Sequence, residues 1–392
     1  EPLRLLRKRR DMGYAVAPSS PAKLLKPDVP SVSQKAPASL KAASNGSSRE
    51  VTSERTVQKA EVICRSCNTP LPLTSKVCTW CECAPSFSLS GNFNLKGALR
   101  VLHDGRHGGG DACNLVLLGH NLDRDQRVVV KAAALDDDPE EVATIKEEIR
   151  IQGKLAHDNT VPLMYAAETP SEVLLVMPFA SGGDLHAALG PRGMLPEKQA
   201  ARLCGQLLAG LSYLHEEMYV LHGDVKPRNI FLVPAGQGLV VQLGDFGLAR
   251  ECPRKAPFLC SFTGLQGSHG YMAPEILAGK DYGRPVDVFA LGVITFTLIA
   301  GYEPFYPPSN VTAELEFDPG SWEVLTEEAA QIVTDMLRFA AEERVASSVA
   351  YSHPWLGMDE SFPERGPQPG FVELCFHRSK DVHQALATAT PA

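Results

Sequence analysis

His222-Gly223-Asp224-Val225-Lys226-Pro227-Arg228-Asn229 decides how this chain is to be read, together with Asp245-Phe246-Gly247 and Ala273-Pro274-Glu275 downstream of it. The octapeptide sets a carboxylate two residues before a lysine and five before a side-chain amide, and the tripeptide adds a second carboxylate at a glycine turn. A carboxylate accepts a hydroxyl proton, and an ammonium offsets charge on a phosphoryl group. Asn and Asp supply the hard oxygen atoms that Mg²⁺ prefers. The set is suited to metal-phosphate chemistry.

In this order and spacing the three motifs resemble the eukaryotic protein kinase family: HGDVKPRN its catalytic loop, DFG its metal-binding motif and APE the end of its activation segment. The resemblance implies an α+β, bilobal protein kinase fold, with a small β-rich N-lobe and a large helical C-lobe, and implies ATP and Mg²⁺ as cofactors. It makes Asp224 the base and orienter of a substrate hydroxyl, Lys226 a γ-phosphate contact, and Asn229 and Asp245 the Mg²⁺ ligands. Lysine two residues after Asp224, and Ser268 in GSHGYMAPE, resemble the serine/threonine members. Glu275 is expected to pair with Arg344, and Asp287 to anchor the catalytic loop from beneath.

Toward the N-terminus, Val128-Val129-Val130-Lys131 is a β-branched run ending in lysine and resembles the family's third-strand motif, so Lys131 is implied to hold the α and β phosphates. Val116, fifteen residues earlier, takes the place of the valine that covers the nucleotide. The glycine-rich loop is then expected at Gly109 to Asn114. Gly109 fills its first position, but Asp111 and Asn114 stand where its second and third glycines belong. An aspartate there repels phosphates, unless the loop shifts register onto Gly108 and Gly110. Val142, Ile145, Ile149 and Leu155 have helical spacing, and within that helix Glu148 is expected to orient Lys131, leaving Glu147 as a solvated neighbour. Val173 to Met177 reads as a buried strand leading to a hinge, with Met177 as gatekeeper and Phe179 and Ala180 beside adenine. Asp184 has two readings, a ribose contact or a helix cap.

Cys64-x-x-Cys67 and Cys78-x-x-Cys81 are separated by ten residues, the pattern of two knuckles folding onto one tetrahedral Zn²⁺. Four thiolates leave no open position, so the metal is expected to be structural. The stretch looks like a small zinc ribbon, with Asn68 at a left-handed turn where that family has glycine. Five of the ten cysteines fall within these twenty residues, a clustering that points to metal in a reducing compartment rather than to a disulfide framework. Cys83 is read as a spare thiol, and Trp80 either caps the site or meets a partner.

These motifs partition the chain into a disordered Pro/Ser/Ala/Lys-rich segment over 1–60, the ribbon over 61–84, a linker over 85–94, the kinase domain over 95–357 (N-lobe 95–179, C-lobe 180–357) and a tail over 358–392. Within the first segment, LRLLRKRR over Leu3 to Arg10 is read as a solvated charged run, with nuclear import or an anionic lipid as its functional alternative. A net charge of -8 argues against a general nucleic-acid or membrane binder. No apolar run is long enough to span a bilayer and no signal-peptide pattern opens the chain, so an intracellular protein, cytoplasmic or nuclear, is expected.

Ser352-His353-Pro354-Trp355-Leu356 resembles the C-lobe ending of calcium/calmodulin-dependent kinases, although residues 357–392 carry neither an EF-hand pattern nor a basic amphipathic helix. Arg228 stands where relatives that favour basic substrates carry glutamate. Gly223 replaces the arginine that, in the family, pairs with a phosphorylated activation loop, so Ser261 and Thr263 are not expected to be the main on-switch. The expected function is Mg²⁺-dependent transfer of the ATP γ-phosphoryl group to serine or threonine hydroxyls of protein substrates. The ribbon's partner is open between protein and nucleic acid. The alternative is a pseudokinase scaffold that binds partners through the ribbon and the kinase fold, which the degenerate glycine loop favours.

Overall fold

The computed structural model describes residues 58–59, 62–71, 75, 77–83, 86–89, 93–96, 100–104, 115–136, 139–190, 193–236, 238–254, 262, 264, 266–305, 311 and 315–357. Most of the 1–60 segment, the glycine-rich loop with Gly109, the hydroxyls of Ser261 and Thr263, and the 358–392 tail lie outside the described residues.

The first part of the described chain is mainly strand: β1 Gln58–Lys59, β2 Val62–Cys64, β3 Ser86–Leu89, β4 Phe93–Lys96, β5 Arg100–Asp104, β6 Leu115–Asn121 and β7 Gln126–Ala134. Helix α1, Pro139–Gln152, follows, and then β8 Tyr165–Glu168 and β9 Glu172–Pro178. These strands form one nine-stranded sheet in the order β1-β8-β9-β7-β6-β4-β3-β2, with β5 also paired to β6. Strands β1 and β2 lie at opposite ends of that order, yet only residues 60 and 61 separate them. Three residue steps span at most about 11 Å, so the sheet has to curl until its two ends approach.

Where burial is described, the strands contribute to two apolar clusters, one on each face of the sheet. Val128, Val130 and Ala132 of β7 join Leu115, Leu117, Leu95, Val62, Cys64, Leu71 and Cys78 in one apolar cluster inside the curl. Ala133 of β7 joins Leu175 and Val173 of β9 with Ile145 and Ile149 of α1 in a second cluster on the opposite face. The stretch expected as a linker, 85–94, instead contributes β3 and the start of β4, and the cysteine segment enters the sheet through β2. The physical reason is edge pairing. Phe87 lies opposite Cys64, and Leu95 opposite Asn121, so these short strands satisfy their backbone groups in the ladder.

The second part is mainly helical: α2 Leu185–Leu189, α3 Glu197–Ser212, α4 Pro274–Leu277, α5 Pro285–Ala300, α6 Pro319–Trp322, α7 Glu327–Met336 and α8 Ser347–Ala350. Two small two-stranded sheets complete it, β10 Val220–Leu221 with β13 Arg250–Glu251 and the hairpin of β11 Ile230–Ala235 with β12 Gly238–Leu243. Helix α5 is apolar almost all round and buried almost throughout, as an all-apolar helix in a globular core has to be. Pro285 opens it and Gly301, at φ 80°, closes it in the left-handed conformation. Among the described residues no helix is long and apolar enough to cross a membrane.

Candidate active site and metal centre

Residues 222–229 are held at the edge of the helical core by alternation. Val225 is buried in the core cluster, while its neighbours Asp224 and Lys226 are turned outward. Asp287, in the first turn of α5, accepts from the backbone amides of His222 and Gly223 at 2.8 and 2.9 Å and from His215 Nε2 at 2.9 Å. A buried carboxylate is thereby fully engaged, and it fixes the loop from beneath. His222 donates from Nε2 to the Gly244 carbonyl at 3.1 Å and accepts the Asp224 amide at Nδ1, 3.2 Å. Its ring therefore ties the loop to the strand entering Asp245. Gly244 has to be glycine here, because a Cβ would come within 2.6 Å of Val161.

On the outward side, Lys226 Nζ lies 2.7 Å from Asp224 Oδ2 and donates to Ser268 Oγ at 2.8 Å, and that hydroxyl in turn donates to Asp224 Oδ1 at 3.0 Å. Asn229 Nδ2 donates to the Asp224 carbonyl and to Asp224 Oδ2, at 2.9 and 3.0 Å. With its nitrogen so used, Asn229 offers its carbonyl oxygen as a metal ligand. Together with the Asp245 carboxylate this is the all-oxygen donor set that fits Mg²⁺. Arg228 is exposed, and donates to His186 Nε2 at 3.1 Å.

Lys131 is brought to the same cleft by β7. It lies directly opposite Val116 on β6 and Leu175 on β9, so these side chains share the sheet face turned away from the cysteines. Met177, opposite Val129, is on that face too. Lys131 Nζ donates to Glu148 Oε2 at 2.7 Å and to Asp245 Oδ1 at 3.0 Å. Burial alone would lower the Lys131 ammonium, but the two carboxylates outweigh it and hold it above its usual value. The charge of Lys131 in turn holds the Asp245 carboxyl below the ordinary range. Asp245 has φ 63°, a left-handed backbone that turns its carboxylate into the cleft.

At the hinge the Phe179 amide donates to the Arg127 carbonyl at 3.1 Å, so Phe179 spends its N–H on the sheet. Asp184 accepts from the Ala187 amide at 2.8 Å, which gives its capping reading a direct contact. Glu275 and Arg344 pair through both guanidinium ends, at 2.7 and 3.1 Å. Glu147, expected as a solvated neighbour, is 34% exposed and is bonded by Arg150 at 2.7 Å from both Nε and Nη2. The i,i+3 spacing was the available signal for that pair.

The cysteine centre is of a different kind. Cys64 and Cys81 Sγ are 3.7 Å apart, Cys67 and Cys78 Sγ are 3.5 Å apart, and all four sulfurs lie within 4.8 Å of one another. A disulfide needs about 2.05 Å. Four thiolates about 2.3 Å from one Zn²⁺ form a tetrahedron with edges of about 3.8 Å, so the cluster fits that ion and no disulfide. Each knuckle is followed by a left-handed residue, Asn68 at φ 59° and Glu82 at φ 55°. Each of these donates its amide back to the first cysteine's carbonyl, at 2.7 and 3.0 Å. Cys83 is exposed, and Trp80 is 78% exposed, so the indole does not cover the sulfurs.

Comparison with known proteins matches residues 105–356 to the family described as "Protein kinase domain". The chain belongs to the protein kinase family. The match covers the catalytic loop, the Asp245 turn and Lys131 but begins after the cysteine centre. Among the relatives of this kinase domain is the calcium/calmodulin-dependent protein kinase type 1B of Mus musculus, 34% identical over 228 residues, covering 56% of the chain and 64% of that protein. A type 1 enzyme of Macrobrachium nipponense is 32% identical over 250 residues, 58% of the chain and 70% of that protein. The Rattus norvegicus serine/threonine-protein kinase DCLK2 is 33% identical over 227 residues, 55% of the chain and 29% of that protein. The chain thus spans less than two thirds of the length of the type 1B relative.

Proposed function

We propose that the chain is a Mg²⁺-dependent serine/threonine protein kinase that passes the ATP γ-phosphoryl group to hydroxyls of protein substrates. The observation that carries this reading is Ser268 Oγ, which donates to Asp224 at 3.0 Å while accepting from Lys226 at 2.8 Å. A serine hydroxyl fits against the carboxylate with its proton directed at it and its oxygen facing an ammonium. A substrate hydroxyl held there would give its proton to Asp224, while Lys226 would offset the negative charge of the group being transferred. Asn229 and Asp245 would hold Mg²⁺, which would supply positive charge to offset that of the phosphates. Lys131, oriented by Glu148, would take the α and β phosphates, and Val116, Met177 and the Phe179–Ala180 hinge would enclose adenine.

We assign structural Zn²⁺ to Cys64, Cys67, Cys78 and Cys81, and treat the ribbon and the N-lobe as two parts of one sheet. The four sulfurs within 4.8 Å of one another and the pairing of β2 with β3 support this. The exposed Trp80 is then the surface feature that a protein or nucleic-acid partner of the ribbon would meet.

Incubation with radiolabelled ATP and a generic protein substrate, comparing wild type with Asp245→Ala, tests the activity. Label is expected with wild type, reduced about 10²-fold or more in the variant. Equal label from both proteins, or none from either, would overturn the enzyme reading and leave the scaffold.

A further inference from the structure

Helix α1 carries Glu148 toward Lys131 on one side, and on another it is fastened to the strand leaving the Asp245 turn. Arg150, in its last turn, uses Nε and Nη2 for Glu147 and Nη1 for Glu251 Oε1, the latter at 2.8 Å. Lys154, just beyond the helix, lies 3.3 Å from the same Glu251 oxygen. Glu251 is the last residue of β13, and β13 pairs through Leu221 opposite Arg250 with β10, the strand that runs directly into His222 and the catalytic loop. One carboxylate thus joins the helix that orients Lys131 to the strand pair whose first member, β10, leads into Asp224.

We propose that Glu251 is a positioning residue: held between Arg150 and Lys154, it keeps α1 swung in, so that Lys131, Glu148 and Asp245 stay aligned without a phosphate on the activation segment. The inference rests on the kinase reading above. Two observations point the same way. The residue before Asp224 is Gly223, at φ 79°, where an added Cβ would lie 3.0 Å from the Leu248 carbonyl, so this position offers no cation to a phosphate. The cations that hold Glu251 are Arg150 on α1 and Lys154 just beyond it, and their anion is a carboxylate encoded in the chain, present whatever the phosphorylation state. All three guanidinium nitrogens are also engaged: two on Glu147 fix the plane, and the third is thereby aimed at Glu251. All these groups are partly exposed, so each contact contributes little to global stability, and their effect lies in where the helix sits.

The test compares wild type, Arg150→Ala, Glu251→Ala and the double variant of the full chain. It reads single-turnover transfer at saturating ATP, amide exchange over Ile145 to Gln152, and melting temperature. Each single variant is expected to slow transfer roughly 5- to 20-fold and to speed amide exchange, with melting shifted by about 1–2 °C at most. The double variant is expected to be no slower than the worse single, because both remove one shared contact. Phosphatase treatment of wild type is expected to leave its rate unchanged. Additive losses, unchanged transfer, or a phosphatase effect larger than that of Glu251→Ala would overturn the proposal. If wild type itself transfers no phosphate, the kinase reading fails, and amide exchange still decides this one: identical exchange in all four proteins overturns it.

Discussion

Along β7, Val129 and Lys131 face Met177, Val116 and the cleft, whereas Val128, Val130 and Ala132 face Cys64 and Cys78. The cleft side is charged and open. It leaves a lysine between two carboxylates, and the Asn229 oxygen with them as the candidate holders of a metal and phosphates. The other side is apolar and closed, and its thiolates would complete their own coordination without any ligand from solution. Because the strand period is two, a one-residue slip of β7 would exchange the two sets. A metal on the four thiols of one face would therefore steady the sheet on whose register the chemistry of the other depends.

The largest effect that can break this comparison is a paired substitution. Lys131→Met is expected to remove phosphoryl transfer, roughly 10²-fold or more, and to lower melting less than Cys64→Ser does, since the buried Glu148 left without its ammonium can take up a proton. Cys64→Ser is expected to abolish bound zinc and lower melting by about 10 °C or more, with activity lost only as the N-lobe unfolds. Zinc per chain, calorimetry and the radiolabel assay check both. Full activity and normal melting in a metal-free protein would separate the two faces. Val130→Ala and Val116→Ala sharpen the contrast on a smaller scale. Val130 is fully buried, and its truncation is expected to cost about 1–3 kcal/mol while leaving the KM for ATP unchanged. The Val116 variant is expected to raise that KM several-fold at a smaller cost in stability. Reversed outcomes would mean that the faces are assigned the wrong way round. Smallest is Glu82→Gly. The exposed Glu82 holds φ 55°, so glycine is expected to stabilise the knuckle by about 1 kcal/mol, read as a modest rise in melting of the zinc-loaded protein.

Much of the candidate site was legible from the chain because its parts are local. Asp224, Lys226 and Asn229 lie within six residues, and the loop's own hydrogen bonds join Asn229 to Asp224. Each CxxC pair is likewise a single turn, closed by an amide returning to the first cysteine's carbonyl. The pairing of Glu148 with Lys131 followed from resemblance, across a separation of 17 residues, and the two side chains meet at 2.7 Å. The destination of 85–94 was not legible. Strands of three or four residues carry too few alternations to announce a face, and their partners are chosen by which sheet edge is free.

By itself the sequence determined the kinase-like order of motifs, the thiol set and the absence of an arginine beside Asp224, since those depend only on which side chains stand a few bonds apart. Only the tertiary structure decided that the cysteine segment is built into the N-lobe sheet, and that Arg150 reaches Glu251 across 101 residues. Contacts of that span are set by how the curled sheet and the helical core close on one another. No local periodicity encodes them.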